Sequence, residues 1–282
     1  MIVDAHHHLW DPARGDYGWM PPDDPVLSRT YSLAEAEAIF LDHGVVQSVI
    51  VQAAPTIAET DYMLGLADNS AVIAGVVGWI DFENRDDRRE LERFARHPKF
   101  RSVRPMVQDI ADDDWLLRPA FRWAFDAIRD LGLAFDALGF PRHSLRFLEI
   151  FQLYSELRVV IDHCLKPNIR EGHFDAWAAG MERFARETSA QIKLSGLVTE
   201  AGTDCSATAF KPYVDHVLAS FGPDRVMWGS DWPVCRLRME YGDWLASAQA
   251  LTSHLGADAQ SALFSTNAQR FYRLPLPPGQ PH

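Results

Sequence analysis

The sequence has little that could hold it together covalently. Its 282 residues include only three cysteines, Cys164, Cys205 and Cys235, widely spaced and with no C-x-x-C pair. Such a set excludes a disulfide framework and a cysteine zinc knuckle, and it favours reduced thiols in a cytoplasmic protein. No apolar run approaches the roughly 20 residues of a membrane span, and the first residues lack the charged-then-apolar pattern of a secretion signal. Positive charge is scarce: 27 Lys and Arg face 39 Asp and Glu, a formal net charge of -12. That balance disfavours nucleic acid and membranes as partners and leaves a small molecule as the expected one. G-x-G-x-x-G and the P-loop pattern are absent, so no nucleotide cofactor is expected. Ser230 lacks the G-x-S-x-G elbow and Ser195 has no matching base motif, which disfavours a serine hydrolase. No low-complexity segment or Pro/Ser-rich linker divides the chain, so a single domain over 1–282 is expected, with 1–273 as its body and 274–282 as a disordered or loosely packed tail.

What is present is ample apolar material, 47% of residues, arranged as a repeated strand-then-helix unit. Short apolar runs at the N-terminus and over 45–54, 72–80, 100–104, 133–138, 159–163, 190–195 and 225–229 read as strands. They are apolar nearly throughout, as in a parallel sheet covered on both faces. Helical spacing follows each: after Ser32 to near Gly44, then 59–68, 88–96, 121–131, 145–154, 174–187, 212–221, 244–251 and 258–267. Eight such units predict a (β/α)8 barrel of the α/β class. An open doubly wound sheet is the alternative, but it wants the missing glycine-rich loop.

In a barrel the chemistry collects where the strands end. Those ends carry His6 and His8, Gln52, Trp79, Arg104, Asp136, His163, Lys193 with Ser195, and Asp231. On an extended backbone His6 and His8 share one side and His7 takes the other. A tag remnant does not explain three histidines set inside an apolar strand. Asp231, in Gly-Ser-Asp-Trp-Pro, is alternatively a turn aspartate, yet at the end of the eighth strand it faces the first once the barrel closes. Three imidazoles and a carboxylate suit one divalent ion, Zn2+ first, or a water held without metal with Asp231 as general base. Arg104 suits a carboxylate or an ester oxyanion, or else a salt bridge. Trp10, Trp79 and Trp232 are candidates to wall the substrate, with plain core packing as the alternative.

Taken together, Asp4-Ala5-His6-His7-His8-Leu9-Trp10-Asp11, Val51-Gln52-Ala53, Val103-Arg104, Val160-Ile161-Asp162-His163, Gly229-Ser230-Asp231-Trp232-Pro233 and Asn267-Ala268-Gln269-Arg270-Phe271-Tyr272 make the whole chain resemble the amidohydrolase superfamily, in its lactonase branch. The resemblance implies hydrolysis of a lactone C–O bond, with a sugar lactone as substrate. It assigns catalysis to His6, His8, His163 and Asp231, which are also the metal donors, and substrate contacts to Arg104, Gln52, Trp10, Trp79 and Trp232. Arg104 and Lys193-Leu194-Ser195 stand where binuclear members carry ligands, so one ion at most is implied, without implying that activity needs it. A metal-dependent decarboxylase of a cyclic or aromatic acid and a non-catalytic sugar-acid-binding barrel are the rival readings. Neither monomer nor homodimer is indicated.

Overall fold

The computed structural model describes residues 1–276. Eight parallel strands lie in chain order: β1 (Ile2–His7), β2 (Val45–Val51), β3 (Ile73–Gly78), β4 (Phe100–Val103), β5 (Ala134–Ala137), β6 (Arg158–Ile161), β7 (Gln191–Leu194) and β8 (Val226–Trp228). The segment after β8 pairs back onto β1. His8 N–H donates to the Trp232 carbonyl at 2.7 Å, and Asp231 N–H donates to the His6 carbonyl at 2.8 Å. The sheet therefore meets itself, which gives the barrel and excludes the open sheet.

The outer helices start where the sequence offers caps. Ser32 Oγ accepts from Glu35 N–H at 3.2 Å, and Thr56 Oγ1 accepts from Glu59 N–H at 3.0 Å. One boundary differs. The helix read from Pro212 begins at Ala207, because Ser206 caps it and Pro212 is carried inside. The C-terminal helix also differs: after a π turn at Ala262–Thr266 it ends as Asn267–Tyr272. Phe271, Tyr272 and Leu274 then pack with Val3, Ala5, Val49, Val51, Val77, Val160 and Met227 in the barrel interior. The expected loose tail is thus packed at its start, where Gln47 Nε2 donates to the Pro275 carbonyl at 2.7 Å; residues 277–282 lie outside those described. No helix among the described residues is long and apolar enough to cross a membrane.

One irregularity in β1 sets up everything above it. Val3 and Ala5 face the interior, so strict alternation would send His7 inward and His6 and His8 toward the helices. The register slips instead: Asp4 pairs with Ser48 but His7 pairs with Ile50, one extra residue on β1. After the slip His7 points outward, with Nε2 3.1 Å from Ser48 Oγ and its ring edge against Phe40. His6 and His8 turn inward.

Candidate active site

The site occupies the carboxyl-end rim of the barrel. His8 Nδ1 lies 2.7 Å from the Val51 carbonyl, which can only accept. Its Nδ1 therefore carries a proton, and Nε2 is the atom turned to the site. That Nε2 is 3.2 Å from His6 Nε2 and 3.3 Å from Asp231 Oδ1. Asp231 Oδ1 is also 3.8 Å from His6 Nε2 and 3.8 Å from His163 Nε2. His163 Nδ1 is anchored on Ser195 Oγ at 2.9 Å.

Two pieces of unusual backbone aim these groups. His163, Cys164, Leu165 and Lys166 are four consecutive left-handed residues, with φ of 54°, 51°, 58° and 50°. Asp231 is left-handed too, at φ 56°. Each such non-glycine position costs on the order of 1–3 kcal/mol, and such strain concentrates at functional sites. Glycine clears the space they need. A Cβ on Gly229 would stand 2.8 Å from His6 Cβ, and one on Gly196 would stand 2.7 Å from the His163 ring.

Beneath the histidines is a buried layer of charge. Lys193 Nζ contacts Asp136 Oδ2 at 2.6 Å, Asp162 Oδ1 at 3.0 Å and His6 Nδ1 at 3.1 Å. Arg104 Nη1 lies 3.2 Å from Asp162 Oδ2, and its Nη2 donates to the Gln52 carbonyl. Ser102 Oγ and Tyr272 Oη donate to Asp136 at 2.5 and 2.6 Å. Burial works to raise Asp162, but Lys193, His6 and Arg104 outweigh it and hold the carboxyl well below its ordinary range. Burial, then the Lys193 charge, holds the His6 imidazolium well below its usual pKa; burial takes His163 down to about 4. Burial also pushes Asp231 up, but His163, His8 and Lys166 together keep it below the usual carboxylate value. These shifts favour neutral His6 and His163 and an ionised Asp231, the protonation states metal ligands require.

The structure brings His6, His8, His163 and Asp231 to one point, as expected. Trp10 and Arg104 also border the cavity above them, of about 210 Å³, with Trp19, Met106, Gln108 and Lys166. Three expected substrate contacts fall elsewhere. Gln52 is buried and its Nε2 donates to the Arg104 carbonyl at 2.7 Å. Trp232 packs edge-on against Tyr31 at 5.0 Å. Trp79 lines a neighbouring cavity. Sequence reasoning gave no role to Asp162, Lys193, Asp136 or Ser195. The available signal for Asp136, Asp162 and Lys193 was a charged residue interrupting a short apolar strand end, which marks an inward position next to the site.

Whether these donors fit a metal follows from their geometry. For His6 Nε2 to ligate, its ring proton must sit on Nδ1 toward Asp162 Oδ1, 3.5 Å away, and Lys193, 3.1 Å from Nδ1, must donate to the carboxylates instead. Asp231 Oδ1 and His163 Nε2 complete the donor set, with Arg104 Nη1 3.4 Å from His6 Nε2. A tetrahedral zinc site with Zn–N of about 2.0–2.1 Å has donor–donor edges of roughly 3.3 Å; here His6, His163 and Asp231 offer atoms within 4.8 Å of one another, and His8 Nε2 lies 3.2 Å from His6 Nε2 and 3.3 Å from Asp231 Oδ1. One divalent ion fits. Arg104 Nη1 and Lys193 Nζ, 3.4 and 3.1 Å from the His6 ring nitrogens, put positive charge beside the centre, which opposes a second ion.

An eight-stranded barrel with two histidines at the end of β1, one after β6 and an aspartate after β8, converging on a small cavity, defines a (β/α)8 hydrolase with a metal-capable centre. Residues 3–274 match the family described as amidohydrolase, and the chain belongs to that family. It is 42% identical to an L-fucono-1,5-lactonase of Burkholderia ambifaria, over 99% of this chain and 98% of the relative. It is 31% identical to an L-fucono-1,5-lactonase of Burkholderia multivorans, over 98% of this chain and 97% of the relative. Among solved structures, an amidohydrolase from Burkholderia multivorans with bound zinc superposes with a TM-score of 0.90 at 31% identity, covering 98% of this chain and 100% of that one.

Proposed function

We propose that the protein hydrolyses the ring ester of a neutral sugar lactone, of the L-fucono-1,5-lactone kind, to the open hydroxy acid. The observation that carries this reading is the convergence of the Asp231 carboxylate with the His6, His8 and His163 imidazoles under a cavity sized for one small ring. Asp231 takes a proton from water, and the hydroxyl adds to the lactone carbonyl carbon. The ring C–O bond then breaks and the ring oxygen takes up the proton. His6, His8 and His163 set the position of Asp231 and of the attacked carbonyl, while Trp10 covers the ring. A divalent ion held by His6, His8, His163 and Asp231, zinc by its donor set, would polarise the carbonyl and acidify water. Both Nη atoms of Arg104 already hold protein acceptors, Asp162 and the Gln52 carbonyl, so its charge is partly offset by Asp162. That favours a neutral lactone over a dicarboxylate. Buried Cys164 and Cys235, both unpaired, accord with a reducing cytoplasm.

A pH-indicator assay over aldono-1,4- and 1,5-lactones, with and without chelator, tests the reading. Acid release without carbon dioxide is expected, which also separates hydrolysis from decarboxylation. Full activity after chelation would assign polarisation to the side chains alone. Replacing Asp231 by Asn is expected to lower kcat by about 10²–10⁴, the usual worth of a general base. More than a tenth of the wild-type rate would remove Asp231 from that role.

A further inference from the structure

Beside the site is a second cavity, about 440 Å³, twice the volume of the first. The two touch at Trp19 and Met106, which border both, so the second opens beside the first on the same rim of the barrel. Its wall is aromatic: Trp19, Trp79, Phe82 and Trp115. The indole N–H of Trp19 is spent on the Ala53 carbonyl at 2.6 Å and that of Trp115 on Glu83 Oε1 at 2.9 Å. These rings therefore offer carbon surface and not donors. The Trp79 backbone is pinned, its N–H donating to Thr60 Oγ1 at 3.0 Å, and its half-buried side chain lines the cavity. Ile80, Ile110 and two prolines also line it, and so do Asp16, Asp81 and Asp109. One oxygen of each is used, by Arg14 and Thr56, by Glu83 N–H and by Gln108 respectively. The other oxygen of each makes no hydrogen bond among the described residues.

Flat carbon faces bordered by carboxylate acceptors suit a ring whose C–H faces stack and whose hydroxyls donate. The same carboxylates repel an anionic arm and are poor company for an alkyl one. Resting on the lactonase reading above, we propose that this cavity is a second sugar subsite, and that the preferred substrate is an aldonolactone carrying a further neutral sugar ring. The lactone ester is cut as before and the glycosidic bond stays intact.

The test compares one aldono-1,5-lactone with its 4-O-glucosyl counterpart. The expected result is a kcat/KM at least fivefold higher for the two-ring lactone. Trp79→Ala, which empties the wall, and Ile110→Trp, which fills the cavity, should each bring that ratio down toward one. Because the ratio is read on one preparation, partial loss of folded enzyme cancels. A wild-type ratio at or below one, or a ratio unmoved by both variants, overturns the subsite. So does a δ-alkyl lactone that outpaces the glucosylated one. Acid from neither sugar lactone would instead defeat the lactonase reading.

Discussion

At the residue scale, Glu59 is a buried acid outside the chemistry that nonetheless supports it. Its carboxyl accepts Ala53 N–H at 3.0 Å and Ala54 N–H at 2.6 Å, fixing the loop after β2, next to the Val51 carbonyl that sets the tautomer of His8. Burial raises its pKa to about 7, against the backbone donors, which lower it. The folded state then binds a proton that the unfolded chain has released between pH 4.5 and 7. Stability should therefore fall as pH rises through that window, by at most roughly 3 kcal/mol for this group, and level off above it. Glu59→Gln should flatten the slope. Urea midpoints of both proteins at pH 5 and pH 7.5 check this: an unchanged difference between them would mean that Glu59 does not titrate there. Single residues were also the most legible part of the site. His6, His8, His163 and Asp231 stood out because imidazole and carboxylate rarely end apolar strands without reason. Gln52 and Trp232 were less legible, because a strand-end position says nothing about which neighbour a side chain will meet, and here both meet protein.

At the scale of elements, the strand order and helix faces followed from periodicity, and the departures came from features with no period. The β1 slip, the left-handed run from His163 to Lys166 and the early start at Ala207 are all of this kind. The close approach of β8 to β1 is another. Gly229→Ala should push His6 off its neighbours, since the added methyl would lie 2.8 Å from His6 Cβ and 3.1 Å from His6 N. A displacement near 1 Å at a reacting group costs on the order of 10² in rate. The expected outcome is that loss in kcat with a far-ultraviolet circular dichroism spectrum like that of the wild type. Undiminished turnover would mean that the two strands can part.

For the whole molecule, the charged layer under the site ties distant parts of the chain together. Lys193 comes from β7, Asp136 from β5, Asp162 from just beyond β6, Arg104 from just beyond β4 and Tyr272 from the last helix. No local pattern announces such a layer, because each member lies on a different element and only closure brings them together. Two cations offset two carboxylates there. Such a cluster adds little net stability against apolar packing, but removing one member strands its partners. Lys193→Met should therefore cost about 3–5 kcal/mol, read as a lowered denaturant midpoint at constant m. A loss under 1 kcal/mol would show that water or a proton shift relieves Asp136 and Asp162.

The slip in β1 has a bearing on transplantation. His-x-His is a spelling, and the same spelling on a regular strand of this phase would deliver its two imidazoles to the helices outside. Grafting this centre into another barrel therefore means carrying over the uneven count between Asp4–His7 and Ser48–Ile50 along with the two histidines. A deletion of one residue in that interval would reverse the parity of every side chain above it while leaving the motif intact to the eye.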